Sequence, residues 1–205
     1  MRIVGIGGSM RAGSSTELLV RAVLAAAADG GATTTIITAR ALALPPYEPR
    51  PAQSARLRAL LDAVRAADAL VIGSPGYHGG VSGLVKNALD YFEELAHNER
   101  PYLDGLPVAC VATASGWQAA AGTLRSLRDT VHALRGWPTP LGIAVNTASE
   151  LLDDAGRFHD PRLTEQVHAI ASQLIRFQTD RHTARDATSQ ADRADTARPL
   201  GRRAS

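Results

Sequence analysis

The chain is poor in the residues that build disulfide scaffolds, metal clusters and nucleic-acid surfaces. Cys110 is the only cysteine among 205 residues, which excludes a disulfide framework and any cysteine-built metal cluster. It lies in the apolar run Val108-Ala109-Cys110-Val111-Ala112, the setting of a buried, unreactive thiol rather than a nucleophile. Lys86 is the only lysine, and the formal net charge is +2. With no basic block interleaved with aromatics, no nucleic-acid partner is expected. His78, His97, His132, His159, His168 and His182 show no metal-ligand spacing. No apolar stretch reaches transmembrane length, and glycines interrupt the first apolar run at once. The expectation is therefore a soluble, cytoplasmic protein without a membrane partner. No G-x-S-x-G elbow is present, which argues against serine hydrolysis.

What the chain does have is a hydrophobic fraction of 45%, enough for a full core in one domain. It opens on Ile3-Val4-Gly5-Ile6-Gly7-Gly8-Ser9-Met10-Arg11-Ala12-Gly13-Ser14-Ser15-Thr16, followed by Glu17-Leu18-Leu19-Val20-Arg21-Ala22-Val23-Leu24. That is a buried strand, a tight loop and an amphipathic helix. A helix start presents unpaired N–H groups and the positive end of the macrodipole, so it suits an anion. Ser9, Ser14, Ser15 and Thr16 add hydroxyls, and Arg11 adds a charged donor fork.

Three phosphate loops compete for this stretch. The dinucleotide fingerprint fails because Met10 stands where the third glycine belongs and Thr38-Ala39-Arg40 offers no acid after the second strand. The triphosphate loop fails because Ser14 stands where the lysine belongs. A hydroxyl-rich loop gripping one terminal phosphate, as flavodoxin-like proteins grip FMN, fits throughout. The alternative at this point is a Gly/Ser-rich strand–helix turn with no ligand.

Alternation continues along the chain. Helices are predicted over 15–28, 54–66, 82–95, 122–135 and 162–177, and strands over 33–38, 69–73, 106–113 and 139–145 after the opening one. Pro140 suits an edge strand, and four prolines between Leu44 and Pro51 make that stretch a loop. The expected fold is α/β: a five-stranded parallel sheet in order 2-1-3-4-5 with helices on both faces. From Gln178 the chain turns to Ala, Arg, Asp, Thr and Ser, which reads as a disordered tail over 178–205 beside a domain over 1–177.

The most specific stretch follows the third strand: Pro75-Gly76-Tyr77-His78-Gly79-Gly80-Val81-Ser82-Gly83-Leu84-Val85-Lys86-Asn87-Ala88-Leu89-Asp90. Its glycines let backbone approach a flat ligand, Tyr77 offers an aromatic face, and Ser82 suits a helix N-cap. Together with Gly8-Ser9-x-Arg11-x-x-Ser14 it resembles the NAD(P)H-dependent FMN reductases of flavodoxin-like fold, a pattern shared by quinone, chromate and azo-dye reductases. The resemblance covers about Arg2 to Phe177.

It implies a three-layer flavodoxin-like sandwich with FMN as cofactor and NAD(P)H as co-substrate. Ser9, Arg11, Ser14, Ser15 and Thr16 would hold the phosphate, Thr16 standing where relatives often carry asparagine. Pro75, Gly76, Tyr77, His78, Gly79 and Gly80 would line the ring, with Ser115, Gly116 and Trp117 at its other edge. Hydride would pass from NAD(P)H to flavin N5, and electrons then to a quinone-like acceptor, or as reduced flavin to a partner monooxygenase. No dedicated catalytic acid or base is implied, and a homodimer or homotetramer is. For Lys86, Asn87 and Asp90 a purely structural role stands as the alternative, and for the His78 side chain no chemical role at all. Two rivals remain at this stage: a non-enzymatic flavodoxin-like electron carrier, and a flavin-free NADP oxidoreductase with Arg40 on the 2′-phosphate.

Overall fold

In chain order the elements are β1 (Arg2–Gly7), α1 (Ser15–Asp29), β2 (Thr33–Thr38), α2 (Ala55–Arg65), β3 (Ala69–Tyr77), β4 (Gly80–Val81), α3 (Gly83–Asp90), a 3-10 segment (Tyr91–Leu95), β5 (Pro107–Ala114), α4 (Trp117–Ala133), β6 (Trp137–Pro138), β7 (Ile143–Asn146) and α5 (Pro161–Thr196). They come from a computed structural model, which describes residues 1–11 and 13–196.

The central strands are near-continuous apolar runs because both faces of the sheet are covered. Side chains alternate between two cores. Val4, Ile6, Leu70, Ile72, Val108 and Cys110 face α2, α3 and α4. Ile3, Ala69, Val71, Ala109 and Val111 face α1 and α5. The parallel order is β2-β1-β3-β5, with β6 and β7 sharing the next place beside β5. Setting aside the short hairpin strand β4, this is the predicted order.

Several boundaries differ from the sequence expectation, each for a local reason. The third strand runs on to Tyr77 and folds back through β4, pairing Gly76 with Val81 and Tyr77 with Gly80. His78 and Gly79 fill the turn at φ 54° and 82°, the backbone of a type I′ hairpin. In place of the fifth strand predicted over 139–145 stand two short pieces, Trp137–Pro138 and Ile143–Asn146. Thr139 donates its N–H to the Val108 carbonyl and accepts from Arg128, Pro140 has no N–H to continue the ladder, and pairing resumes at Ile143. Helix α4 begins five residues early, at Trp117, so the expected loop over 114–121 is mostly helix. It ends through Arg135, at φ 63°. Helix α3 gives way to the 3-10 segment after Asp90.

The largest difference is α5, which continues past Phe177 into the stretch read as a disordered tail. No proline or glycine lies between Gln178 and Thr196, so nothing breaks the helix. Gln178 is buried and donates to the Asp68 carbonyl, and Arg181 donates to the Gly105 carbonyl. Residues 197–205 lie outside the described part of the chain.

Candidate functional site

The carboxyl ends of β1, β3 and β5 meet at one rim, in register at Gly7↔Gly73 and Pro75↔Thr113. Gly7 makes the close approach possible. Its φ is 130°, and a Cβ there would stand 1.9 Å from the Gly73 carbonyl oxygen.

Beyond the rim lies a cleft of about 450 Å³ lined by Ser9, Arg11, Ser14, Ser15, Thr16, Pro75, Gly76, Tyr77, Thr113, Ala114, Ser115, Ala119 and Thr147. Its size is that of an ordinary ligand pocket. The phosphate-loop candidates and the start of the Pro75 stretch thus share one wall-to-wall space.

Each loop residue has a definable task. Ser14 is the N-cap of α1, and its Oγ accepts from the Glu17 N–H at 3.3 Å. The hydroxyl proton of Ser14 stays available for an anion. Ser9 Oγ accepts from the Arg11 N–H at 3.2 Å, which sets the turn that presents Arg11. The N–H groups of Ser15 and Thr16 lie in the first turn of α1, where the helix supplies no acceptor. Thr16 departs from the expectation. Its side chain is 1% exposed, and its hydroxyl pairs with that of Thr113 at 2.6 Å. It therefore ties α1 to β5 and leaves its backbone N–H to face the cleft.

On the ring side, Pro75, Gly76 and Tyr77 line the cleft, with Tyr77 57% exposed. The hairpin is held from behind. Ser74 donates to the Pro75 carbonyl and accepts from the Ser82 N–H, and Thr123 of α4 donates to the Gly80 carbonyl at 3.3 Å. A Cβ on Gly76 would meet Thr123 Oγ1 at 2.4 Å, so α4 closes onto bare backbone there. His78, Gly79 and Gly80 form the turn beyond the cleft lining. Ser115 and Ala119 line the far side, where α4 starts without a side-chain cap, leaving its first-turn N–H groups free. Gly116 is the residue at that N-cap position, and Trp117, 65% exposed, stands on the rim rather than in the lining.

The second motif divides in two. Asn87 ties down the Pro-rich loop: its Oδ1 accepts from the Tyr47 N–H at 2.8 Å and its Nδ2 donates to the Pro45 carbonyl at 2.8 Å. Lys86 and Asp90 form an exposed pair on α3, of the kind that adds little stability. Burial pushes the Cys110 thiol up to about 12, so it carries no nucleophilic role near neutral pH. Among the described residues no group of side chains is arranged to hold a metal, and no helix is long and apolar enough to cross a membrane.

The chain matches the family described as NADPH-dependent FMN reductase over residues 1–150. It belongs to that family. The resemblance carried by the two motifs is thereby shown, although the match stops short of Phe177. This FMN-reductase family member is 34% identical over 116 residues to an FMN-dependent NADPH-azoreductase of Staphylococcus haemolyticus, across 56% of this chain and 58% of that one. The match thus spans little more than half of the azoreductase. Among solved structures, an oxidoreductase from Corynebacterium diphtheriae superposes with a TM-score of 0.70 at 21% identity, over 88% of this chain and 98% of that one. A flavoenzyme NAD(P)H:acceptor oxidoreductase from Paracoccus denitrificans gives 0.66 at 20% identity, over 86% and 98%. A Streptococcus pneumonia flavodoxin gives 0.55 at 13% identity, over 85% and 98%, and at such identities these neighbours establish the fold alone, which is flavodoxin-like.

Thr113, Ala114, Ala119 and Thr147 of this family member line the cleft without having been singled out in the sequence. Thr113 and Ala114 close β5, so a search of strand ends as well as loops reaches them. Thr147 is placed by its N–H, which donates to the Ala114 carbonyl.

Proposed function

We propose that the protein is an NAD(P)H-dependent FMN reductase whose FMN sits in the cleft between the Ser9–Thr16 loop and the Pro75–Tyr77 strand end. The observation that carries this is the single continuous space joining an anion-binding helix start to a glycine-rich strand end. The donors fit a terminal phosphate: hydroxyls of Ser9, Ser14 and Ser15, the Arg11 guanidinium, and the backbone N–H groups of Ser15 and Thr16. A phosphate at such a helix start gains up to about 2 kcal/mol from the macrodipole.

Pro75, Gly76 and Tyr77 would take the flat ring, with His78, Gly79 and Gly80 holding the hairpin turn beside it. Ser115, Gly116 and Trp117 would border the opposite edge. When bound, FMN supplies N5 as hydride acceptor for NAD(P)H and relays the electrons to a second acceptor. The chain's part is to position and to polarise. The uncapped first turn of α4 offers backbone N–H donors toward negative charge developing on the ring, without a protein acid or base. The second acceptor would be a quinone-like or other small molecule, or a partner monooxygenase drawing on reduced flavin. A homodimer or homotetramer would complete the open side of the cleft, and residues 1–177 would be the FMN-binding unit.

The test is an anaerobic absorbance titration of the protein with FMN, then with NADPH and with NADH. Bleaching of the flavin visible band, faster than with free FMN, is the expected result. Bound FMN that neither donor bleaches would make the protein an electron carrier, and absence of FMN binding would remove the proposal.

A further inference from the structure

A second cleft, of about 580 Å³, opens on the other side of the same loop. It is lined by Ser9, Met10, Arg11, Gly13, Ser14, Glu17, Leu18, Arg21, Thr38, Ala39 and Arg40. It shares Ser9, Arg11 and Ser14 with the first cleft, so the loop forms one wall of each. The second lies toward β2, whose last residue, Thr38, pairs with Gly7 of β1. Across the rim the order is therefore Arg40 at the end of β2, the phosphate loop after β1, then the ring wall at β3 and β5.

The lining has the character of a nucleotide site. Met10, 55% exposed, and Leu18 provide apolar surface. Three guanidiniums face one carboxylate, Glu17, and that carboxylate is already taken: Arg21 donates to its Oε1 from Nε at 2.9 Å and from Nη2 at 2.7 Å. Arg11 is shared with the first cleft. Arg40 serves the second alone and makes no ion pair among the described residues. In dinucleotide-binding doubly wound sheets, whose first helix start holds the pyrophosphate, the residue just beyond the second strand meets the adenosine ribose, an acid favouring the free 2′-hydroxyl and an arginine the 2′-phosphate; Arg40 holds that place here, beside a helix start assigned to the FMN phosphate. The FMN phosphate would occupy the loop itself, so the outer half of a dinucleotide stacked on the ring has this neighbouring cleft to enter. The distance is suited to one. β2 and β3 are two inter-strand spacings apart, roughly 10 Å.

We propose that this cleft takes the adenosine 2′-phosphate half of NADPH, with Arg40 as the residue that selects NADPH over NADH. The inference rests on the FMN-reductase reading for the placement of the nicotinamide, but the adenosine subsite is testable without it. Calorimetric titration with adenosine 2′,5′-bisphosphate needs neither FMN nor turnover. Binding is expected, weakened about ten-fold or more in Arg40→Gln, as loss of a charge-assisted hydrogen bond implies, and largely restored in Arg40→Lys. Adenosine 5′-monophosphate should bind at least about ten-fold more weakly to the wild type. In the FMN-loaded protein, Arg40→Gln should raise KM for NADPH by a similar factor while KM for NADH and the affinity for FMN hold. Equal binding of the two adenosine nucleotides, equal competition by inorganic phosphate, no binding, or a common change in KM for both donors would each overturn the proposal. Failure of the FMN reading appears elsewhere, as loss of flavin binding with the bisphosphate titration intact.

Discussion

Gly7 is the most tightly confined of the glycines at the rim. It joins the end of β1 to the Ser9–Thr16 loop at a φ that L side chains seldom adopt, against the Gly73 carbonyl. Gly7→Ala should lower stability by roughly 2–5 kcal/mol, combining backbone strain with forced separation of β1 and β3. Urea denaturation checks this as a lowered midpoint at unchanged slope. A wild-type midpoint would mean that the two strands part without cost. The left-handed backbone is a local matter for which the glycine-rich loop prepares, whereas the approach to Gly73 comes only with the β1–β3 pairing. The Thr16 hydroxyl was not legible in the same way, because its partner Thr113 lies 97 residues along the chain. The sequence presented Thr16 as one more hydroxyl in a hydroxyl-rich loop, and only packing of α1 on β5 turned it inward.

At the scale of elements, the hairpin β3–β4 and the helix after it form one supporting frame. Ser74, Ser82 and Thr123 hold the hairpin from the core side, and Asn87 on α3 holds the Pro-rich loop. Asn87→Ala leaves the Tyr47 N–H and the Pro45 carbonyl without their partner. It should cost about 1–3 kcal/mol and release the Tyr47 amide to fast hydrogen exchange, with FMN affinity retained. Unchanged protection of that amide would refute the anchoring role. Element type and order followed from the strand–helix alternation because buried parallel strands and amphipathic helices write different periods. Ends were harder. His78 in a left-handed turn gives no Asn-Gly signal, and a polar helix such as the far part of α5 has no apolar period to detect.

At the scale of the whole molecule, the rim across β2, β1, β3 and β5 carries two clefts, and the Ser9–Thr16 loop lines both. The sequence identified that loop and its strand-end partner. It set Arg40 beside that loop only within a flavin-free alternative; that the loop has two sides shows in the β1–β2 pairing and in the shared lining of Ser9, Arg11 and Ser14. In the proposed function the Ser9–Thr16 loop recognises a terminal phosphate while the Pro75 strand end takes the ring. Comparing FMN with riboflavin in wild-type protein and Arg11→Ala, by quenching of flavin fluorescence, tests it most directly. FMN should bind about 100-fold or more tighter than riboflavin, as several charge-assisted hydrogen bonds imply, with that ratio falling at least about ten-fold in Arg11→Ala and riboflavin affinity unchanged. Equal affinity for the two flavins, or a ratio that survives the loss of Arg11, would contradict it.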